Sequence, residues 1–194
     1  TINAVHAGAR VKKLLQLISG GVYDDEGQTQ YFHQERYNLV IDLIKERKHC
    51  IVAFNWKHER DALIEQAEKE KLSYEVIDGS VPAEKRKDIV ARFQAGQIRV
   101  LFCHPQSAGH GLTLTKATTA IWCSPTYNAE HFQQFNRRIH RASQTEKTET
   151  ILIAAHKTWE EDVYAKLNGK LGKMENLLHI LTGLQNANEN TRTT

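Results

Sequence analysis

The chain has 194 residues, of which 40% are hydrophobic, and this is enough to bury one substantial core. Its 26 basic and 23 acidic residues leave a formal charge of only +3, which is too small to indicate nucleic-acid binding by itself. The sequence contains no apolar run of about 18 residues and no signal peptide, so we expect no membrane partner.

The cysteines and histidines argue against disulfides and metal centres. Cys50, Cys103 and Cys123 lie far apart in apolar runs without a C-x-x-C pair, which predicts buried, reduced thiols in an intracellular protein. None of the 10 histidines has a cysteine or carboxylate at a zinc-like spacing. We therefore expect no metal site.

The first 35 residues are predicted to form a helix and a hairpin. Val11, Leu14, Leu15 and Ile18 recur at helical spacing within residues 4–19, and two glycines then end the helix. Two short apolar pairs flank an acidic, Gly-containing turn, Val22-Tyr23 and Tyr31-Phe32.

A helix over Gln34–Lys48 follows, and short apolar runs then alternate with amphipathic stretches. The predicted strands are Cys50–Phe54, Tyr74–Ile77, Ile98–Cys103, Ala120–Cys123 and Thr150–Ala154. The predicted helices are His58–Lys71, Pro82–Gln94, Ala129–Arg141, Thr158–Leu167 and Lys173–Leu181. This alternation predicts an α/β fold, a parallel sheet with helices on both faces. The polar residues at the end of the chain predict a disordered tail.

Ligands of open parallel sheets bind beyond the carboxyl ends of the strands, where this chain carries four polar loops. Asn55-Trp56-Lys57 suits a nucleic-acid backbone, although Trp56 could equally pack on the next helix. Asp78-Gly79-Ser80 permits close backbone approach and a hydroxyl contact with phosphate, but could also be a plain turn before a helix. A fourth loop, Ser124–Asn128, contains Tyr127.

The third loop is rich in small residues. Ser107, Ala108, Gly109 and Gly111 expose backbone N–H groups, which is typical of an anion-binding nest. It is not a Walker A loop, because G-x-x-x-x-G-K-[ST] occurs nowhere in the chain. A nucleotide site built by this chain would therefore lack the groups that grip β- and γ-phosphates.

The segment from Gln134 to Gln144 contains two arginines that are three residues apart. On a helix, Arg138 and Arg141 would share a face, with Gln134 one turn earlier. Their guanidinium groups match phosphate oxygens, so the pair could clamp a transferring phosphoryl group. It could also be ordinary surface charge on a solvated helix.

These segments resemble the second RecA-like lobe of Swi/Snf-type helicase-like ATPases, within helicase superfamily two. The resemblance covers roughly residues 36–168 and rests on Phe54-Asn55, Asp78-Gly79-Ser80-x-Pro82-x-x-x-Arg86, Phe93, Ser107-Ala108-Gly109-His110-Gly111-Leu112-Thr113-Leu114 (motif V), Gln134-x-x-x-Arg138-x-His140-Arg141-x-x-Gln144 (motif VI) and Thr158-Trp159-Glu160-Glu161. The S-A-G-H-G form is most similar to the bacterial and phage branch. Tyr127 stands where the family often has Trp, and Ala142-Ser143 where Ile-Gly is usual.

The resemblance implies ATP-driven translocation along duplex DNA, with the nucleotide held between two lobes. ATP and Mg²⁺ would be bound mainly by a first lobe that carries the Walker motifs. Arg138 and Arg141 would be the catalytic arginine fingers, and Gln134, Gly109 and Gly111 would also line the ATP side. DNA would be contacted by Asn55, Lys57, Gly79, Ser80, Ser107 and Tyr127.

It also implies a domain organisation. Residues 1–35 would be an inter-lobe connection, 36–183 the RecA-like C-terminal lobe and 184–194 the disordered tail. We expect a monomer in the cytoplasm of a bacterial or phage-infected cell, partnered in cis by the first lobe. The isolated chain should be inactive. The alternative is a stand-alone DNA-binding or regulatory module without ATPase activity.

Overall fold

The computed structural model describes residues 7–24, 26–108 and 111–169. It begins with helix α1 (Ala7–Ile18), followed by strands β1 (Gly21–Tyr23) and β2 (Thr29–Tyr31), which pair antiparallel. Gly20 joins helix to hairpin with φ +110, and a Cβ there would lie 2.6 Å from the carbonyl oxygen of His33. Only glycine fits this turn. The helix ends before the two glycines and a hairpin follows, as predicted.

The remaining described residues form one α/β unit. Its elements are α2 (Glu35–Lys45), β3 (Cys50–Ala53), α3 (Lys57–Lys69), β4 (Tyr74–Ile77), α4 (Ala83–Gln94), β5 (Val100–Cys103), α5 (Pro105–Ala108), β6 (Thr119–Trp122), α6 (Ala129–Asn136) and β7 (Glu149–Leu152). Residues 159–169 are also helical. The strands pair in parallel in the order β4-β5-β3-β6-β7.

Apolar side chains from the strands feed two hydrophobic clusters, one on each face of the sheet. Along β3, Ile51 and Ala53 belong to one cluster and Cys50 and Val52 to the other, as the period of two in a strand requires. Helices α2 and α3 cover the second cluster, whereas α4, α6 and the 159–169 helix cover the first. The predicted α/β fold with helices on both faces is confirmed.

Trp122 at the end of β6 anchors α6. Its fully buried ring packs against Phe132 and Phe135 with centroid separations of 4.9 and 5.1 Å. Its indole N–H donates to Asn136 Oδ1 at 2.9 Å. This packing fixes the helix from which the arginine segment emerges.

The helix predicted over Ala129–Arg141 is shorter than expected, because α6 ends at Asn136. The carbonyl of Arg138 accepts a hydrogen bond from the backbone N–H of Leu114 at 3.1 Å. The amide of Gln144 donates to the carbonyl of Ile139 at 3.2 Å. Partners outside the helix thus take up carbonyls that a longer helix would have used.

Other differences are small. Helix α5 was not predicted, and several strands begin or end one or two residues away from their expected bounds. The three cysteines are free and buried, as expected. The predicted helix over Lys173–Leu181 and the tail over 184–194 lie outside the described residues, so the domain boundaries stay a prediction. No helix within the described ranges is long and apolar enough to cross a membrane.

Candidate functional site

The loops after β3, β4 and β5 meet at the carboxyl edge of the sheet and form a cleft of about 480 Å³. It is lined by Phe54, Trp56, Lys57, Arg60, Asp78, Gly79, Ser80, His104, Gln106 and Ser107. Four of the six residues predicted to contact DNA are therefore brought together here, namely Lys57, Gly79, Ser80 and Ser107.

The other two lie elsewhere. The side-chain amide of Asn55 donates to the carbonyl and hydroxyl oxygens of Ser124 at 2.8 and 3.0 Å, so it ties the loop after β3 to the loop after β6. Tyr127 is 52% exposed and lines a separate groove with Val11 and Trp159. The structure does not bring Asn55 or Tyr127 into the cleft.

A buried carboxylate shapes the wall formed by α3. Glu59 accepts hydrogen bonds from the backbone N–H groups of Asn55 and Trp56 at 2.7 and 3.2 Å. Burial raises the pKa of Glu59 to about 7, although these bonds and Arg36 act in the opposite direction. The carboxylate holds the turn that presents Lys57, whose side chain is exposed.

The loop after β4 is held by internal hydrogen bonds. Asp78 accepts from the backbone N–H and the hydroxyl of Ser80, and from Arg60 at 2.9 Å. Although partial burial acts against it, the bonds from Ser80 and Arg60 lower the pKa of Asp78. The Ser80 hydroxyl proton is thus used within the turn, so towards a ligand Ser80 offers oxygen lone pairs.

Arg86 joins two loops of the cleft. Its guanidinium donates to the carbonyls of Asp78 and Val81 at 3.3 and 3.2 Å, and to the carbonyl of Ser107 at 3.4 Å. The rigid fork of an arginine fixes the spacing of these backbone segments. The sequence pattern contained Arg86 but gave no sign of this bridging role, because the carbonyls of Asp78 and Val81 belong to one loop and that of Ser107 to another.

The two arginines of motif VI converge on one backbone oxygen of motif V. Arg138 and Arg141 donate to the carbonyl of Leu112 at 3.3 and 3.4 Å. Arg138 is only 6% exposed, and burial together with the nearby charge of Arg141 lowers its pKa. Arg141 is exposed. The arginines thus lie together as predicted, but a turn after α6 brings them together and not a shared helix face.

Of the remaining predicted nucleotide-side residues, the structure describes Gln134 and Gly111. Gln134 lies in α6, and its amide donates to Glu130 one turn earlier at 2.8 Å. Gly111 is exposed with φ +66, and a Cβ there would meet no atom within 4 Å. Gly109 lies outside the described residues. The amide of Gln144 also donates to the carbonyls of Thr115 and Ala117 at 3.0 and 3.1 Å, which fastens motif VI to the end of motif V.

A buried ion pair supports the same edge of the sheet and was not predicted. Arg36 of α2 contacts Glu160 at 2.6 Å, and their side chains are 5% and 0% exposed. The guanidinium also donates to the carbonyls of Cys123, Ile153 and Ile18 at 2.6, 3.4 and 3.3 Å. Arg36 thereby links α1, the ends of two strands and the 159–169 helix. The described residues contain no group of three His, Cys, Asp or Glu side chains suited to a metal ion.

Comparison with known proteins identifies the class. Residues 35–143, more than half of the chain, match the family "Helicase conserved C-terminal domain". The chain belongs to this family. The fold agrees with the C-terminal part of the Fun30 ATPase domain, with a TM-score of 0.61, 19% identity and coverage of 67% of this chain and 44% of that one.

Similar sequences narrow the class to the Swi/Snf type. Protein p41 of Acyrthosiphon pisum secondary endosymbiont phage 1 is 28% identical over 93% of this chain and 39% of its own length. Chromodomain-helicase-DNA-binding protein 1-like of Mus musculus is 32% identical over 63% of this chain and 14% of its own length. DNA annealing helicase and endonuclease ZRANB3 of Bos taurus is 33% identical over 56% of this chain and 10% of its own length.

The resemblance to the second RecA-like lobe of Swi/Snf-type ATPases is therefore confirmed. The chain spans less than half the length of each of these relatives.

Proposed function

We propose that this chain is the C-terminal lobe of a DNA-dependent ATPase and translocase, to which it supplies two arginine fingers and a set of DNA-backbone contacts. The observation that carries the proposal is the convergence of Arg138 and Arg141 on the Leu112 carbonyl. Two neighbouring guanidinium groups suit the charge of a transferring phosphoryl group. Because the chain has no Walker A loop, the phosphate would be held by another lobe.

On the nucleotide side, Arg138 and Arg141 act on the γ-phosphate of ATP across the cleft between the lobes. Burial and three tertiary hydrogen bonds of the arginine segment, to Leu112 and Leu114, hold Arg138 in place before any nucleotide arrives. Gln134, Gly109 and Gly111 complete this surface. Mg²⁺ is held mainly by the first lobe.

On the DNA side, the cleft between β3, β4 and β5 contacts phosphates of duplex DNA. Lys57 supplies charge, and Gly79 and Ser107 let the backbone approach closely. Ser80 shapes the turn beside them, because its N–H and hydroxyl proton both bind Asp78. Asn55 acts by holding the loop that carries Lys57, through its bonds to Ser124. Tyr127 would touch DNA only from the separate groove that it lines. Such contacts set register and read no sequence.

Two similar proteins are named for DNA binding and for DNA annealing, and this supports DNA as the partner. The test compares ATP hydrolysis by a two-lobe protein containing this chain, with and without duplex DNA. We expect stimulation by DNA, and no measurable turnover by the 194 residues alone. A two-lobe protein that binds DNA without hydrolysing ATP would instead support a DNA-binding or regulatory module.

A further inference from the structure

His58 makes an unusually complete set of hydrogen bonds at the first turn of α3. Its ring is fully buried, with Nε2 2.7 Å from the hydroxyl of Ser19 and Nδ1 3.1 Å from the hydroxyl of Tyr23. Its backbone N–H donates to the same Tyr23 hydroxyl at 3.1 Å, and its carbonyl accepts from the hydroxyl of Tyr31 at 3.0 Å. One residue thus holds the end of α1 and both strands of the hairpin.

The network assigns one neutral tautomer to the ring. The Ser19 hydroxyl donates to the carbonyl of Gln16 at 2.9 Å, so it accepts from Nε2–H of His58. Nδ1 then carries a lone pair and accepts the proton of Tyr23, whose oxygen accepts the His58 N–H. Every polar atom of the residue has a partner, and burial lowers the pKa of His58 to about 4. The ring is therefore neutral at physiological pH.

The ring also packs closely on a glycine in the hairpin. A Cβ on Gly21 would lie 3.0 Å from Cδ2 of His58, so a side chain there would displace the ring or the strand by a few tenths of an ångström. A second contact joins the same parts of the chain, because Nζ of Lys12 in α1 lies 5.8 Å from the ring centroid of Trp56.

His58 directly follows Trp56 and Lys57, which line the cleft. We propose that His58 is a positioning residue that latches the N-terminal unit, α1 with β1 and β2, to the first turn of α3 and thereby fixes Lys57 for contact with a DNA phosphate. The DNA contact rests on the proposed function, whereas the latch itself does not. The N-terminal unit is then a support of the cleft, and its displacement weakens the Lys57 contact.

The test weakens the latch without touching the cleft, and it leaves the bonds of His58 to Ser19 and Tyr31 in place. Tyr23→Phe deletes the hydroxyl that serves both the backbone N–H and Nδ1 of His58, and leaves a ring of the same size. Tyr74→Phe is the matched control, because the Tyr74 hydroxyl donates to exposed Glu68 at 2.8 Å on another part of the surface. Both variants are made in the 194-residue chain, and thermal unfolding sets a temperature at which each is fully folded.

Hydrogen exchange measures the latch directly. We expect the amides of residues 55–58 to exchange about two- to tenfold faster in Tyr23→Phe, the range that corresponds to loss of one hydrogen bond. Ser80, whose N–H donates to Asp78, should exchange as in the wild type. Equal exchange at residues 55–58 in the wild type and Tyr23→Phe would overturn the proposal.

Binding to a short fluorescein-labelled DNA duplex tests the consequence. Tyr23→Phe should weaken binding and lower the slope of log Kd against log salt concentration. Lys57→Ala removes one phosphate contact and should lower this slope by about 0.9, and the slope for Tyr23→Phe should move towards that value. In a Lys57→Ala background, Tyr23→Phe should have no further effect, because both changes remove the same contact. Additive losses would contradict the positioning role, since a merely structural defect does not depend on Lys57. If the wild-type chain binds no duplex, the DNA proposal fails and the exchange measurement still decides the latch.

Discussion

Arg138 and Arg141 share one hydrogen-bond acceptor, the backbone carbonyl of Leu112, at 3.3 and 3.4 Å. Two cations held at one oxygen repel each other, and this repulsion adds to burial in lowering the pKa of Arg138. The Leu114 N–H donates to the Arg138 carbonyl at 3.1 Å, so the two segments bind each other in both directions. Motifs V and VI thus form one unit, and a substitution that displaces one motif should also displace the other.

The backbone conformation of motif V can be tested at Gly111. Its φ of +66 is unfavourable for residues with a Cβ, although a Cβ there would meet no neighbouring atom. Gly111→Ala should therefore lower the free energy of unfolding by about 1 kcal/mol through backbone strain alone. Urea denaturation measures this.

Gly79→Ala is the matched control for Gly111→Ala. A Cβ at Gly79 would also meet open space, and Gly79 is not among the glycines with positive φ. The free energy of unfolding of Gly79→Ala should stay within about 0.5 kcal/mol of that of the wild type. Equal destabilisation by both variants would contradict the assignment of strain to position 111.

The buried pair of Arg36 and Glu160 should be a main support of the sheet edge. Glu160→Gln removes the negative partner and leaves the guanidinium charge buried, which typically costs about 3–5 kcal/mol of unfolding free energy. Arg36 keeps its three backbone carbonyl acceptors, so we expect a loss near the lower end of that range. Chemical denaturation at neutral pH measures the change.

An exposed pair supplies the comparison. Glu84 and Lys87 are 2.8 Å apart with side chains 85% and 75% exposed, and Glu84→Gln should change stability by less than about 1 kcal/mol. A Glu160→Gln variant no less stable than Glu84→Gln would show that the buried pair does not support the fold.

Glu59 makes stability depend on pH in a direction opposite to that of most carboxylates. Its folded pKa is raised to about 7 from an ordinary value of 4.5, so the native state holds a proton that the unfolded state releases. The favourable contribution of the protonated form is complete below about pH 4.5 and is lost as the pH rises towards about 7.

Glu59→Gln replaces the protonated carboxyl by a neutral group that does not titrate. The wild type should therefore lose stability relative to Glu59→Gln as the pH rises from about 4.5 to about 7. The slope of this loss against pH should correspond to the release of one proton on unfolding. Unfolding free energies of both proteins across this range measure the difference. Parallel curves would mean that Glu59 titrates normally.

Much of the architecture could be predicted because the period of the apolar residues changes between strands and helices. Ile51 and Val52 face opposite sides of the sheet within a continuous apolar run, which is typical of a strand buried on both faces. The end of α6 could not be predicted, since it depends on bonds to Leu114 and Gln144, which lie outside the predicted helix.

Part of the site could be predicted from the order of the strands. Lys57 and Ser80 follow neighbouring strands in a parallel sheet, so topology alone brings them to one cleft. The bridging role of Arg86 and the latch at His58 depend on backbone carbonyls and hydroxyls that meet only in the folded chain. No spacing in the sequence indicates them.

The arginine pair is the central element of the account, and its most direct test is DNA-stimulated ATP hydrolysis by a two-lobe protein containing this chain. Arg141→Ala should lower turnover by about 10³–10⁵, the range known for loss of an arginine finger. Arg137→Ala removes the charge of a neighbouring exposed arginine and should retain turnover. Near-normal DNA-stimulated turnover by Arg141→Ala would contradict the assignment of this pair to the γ-phosphate of ATP.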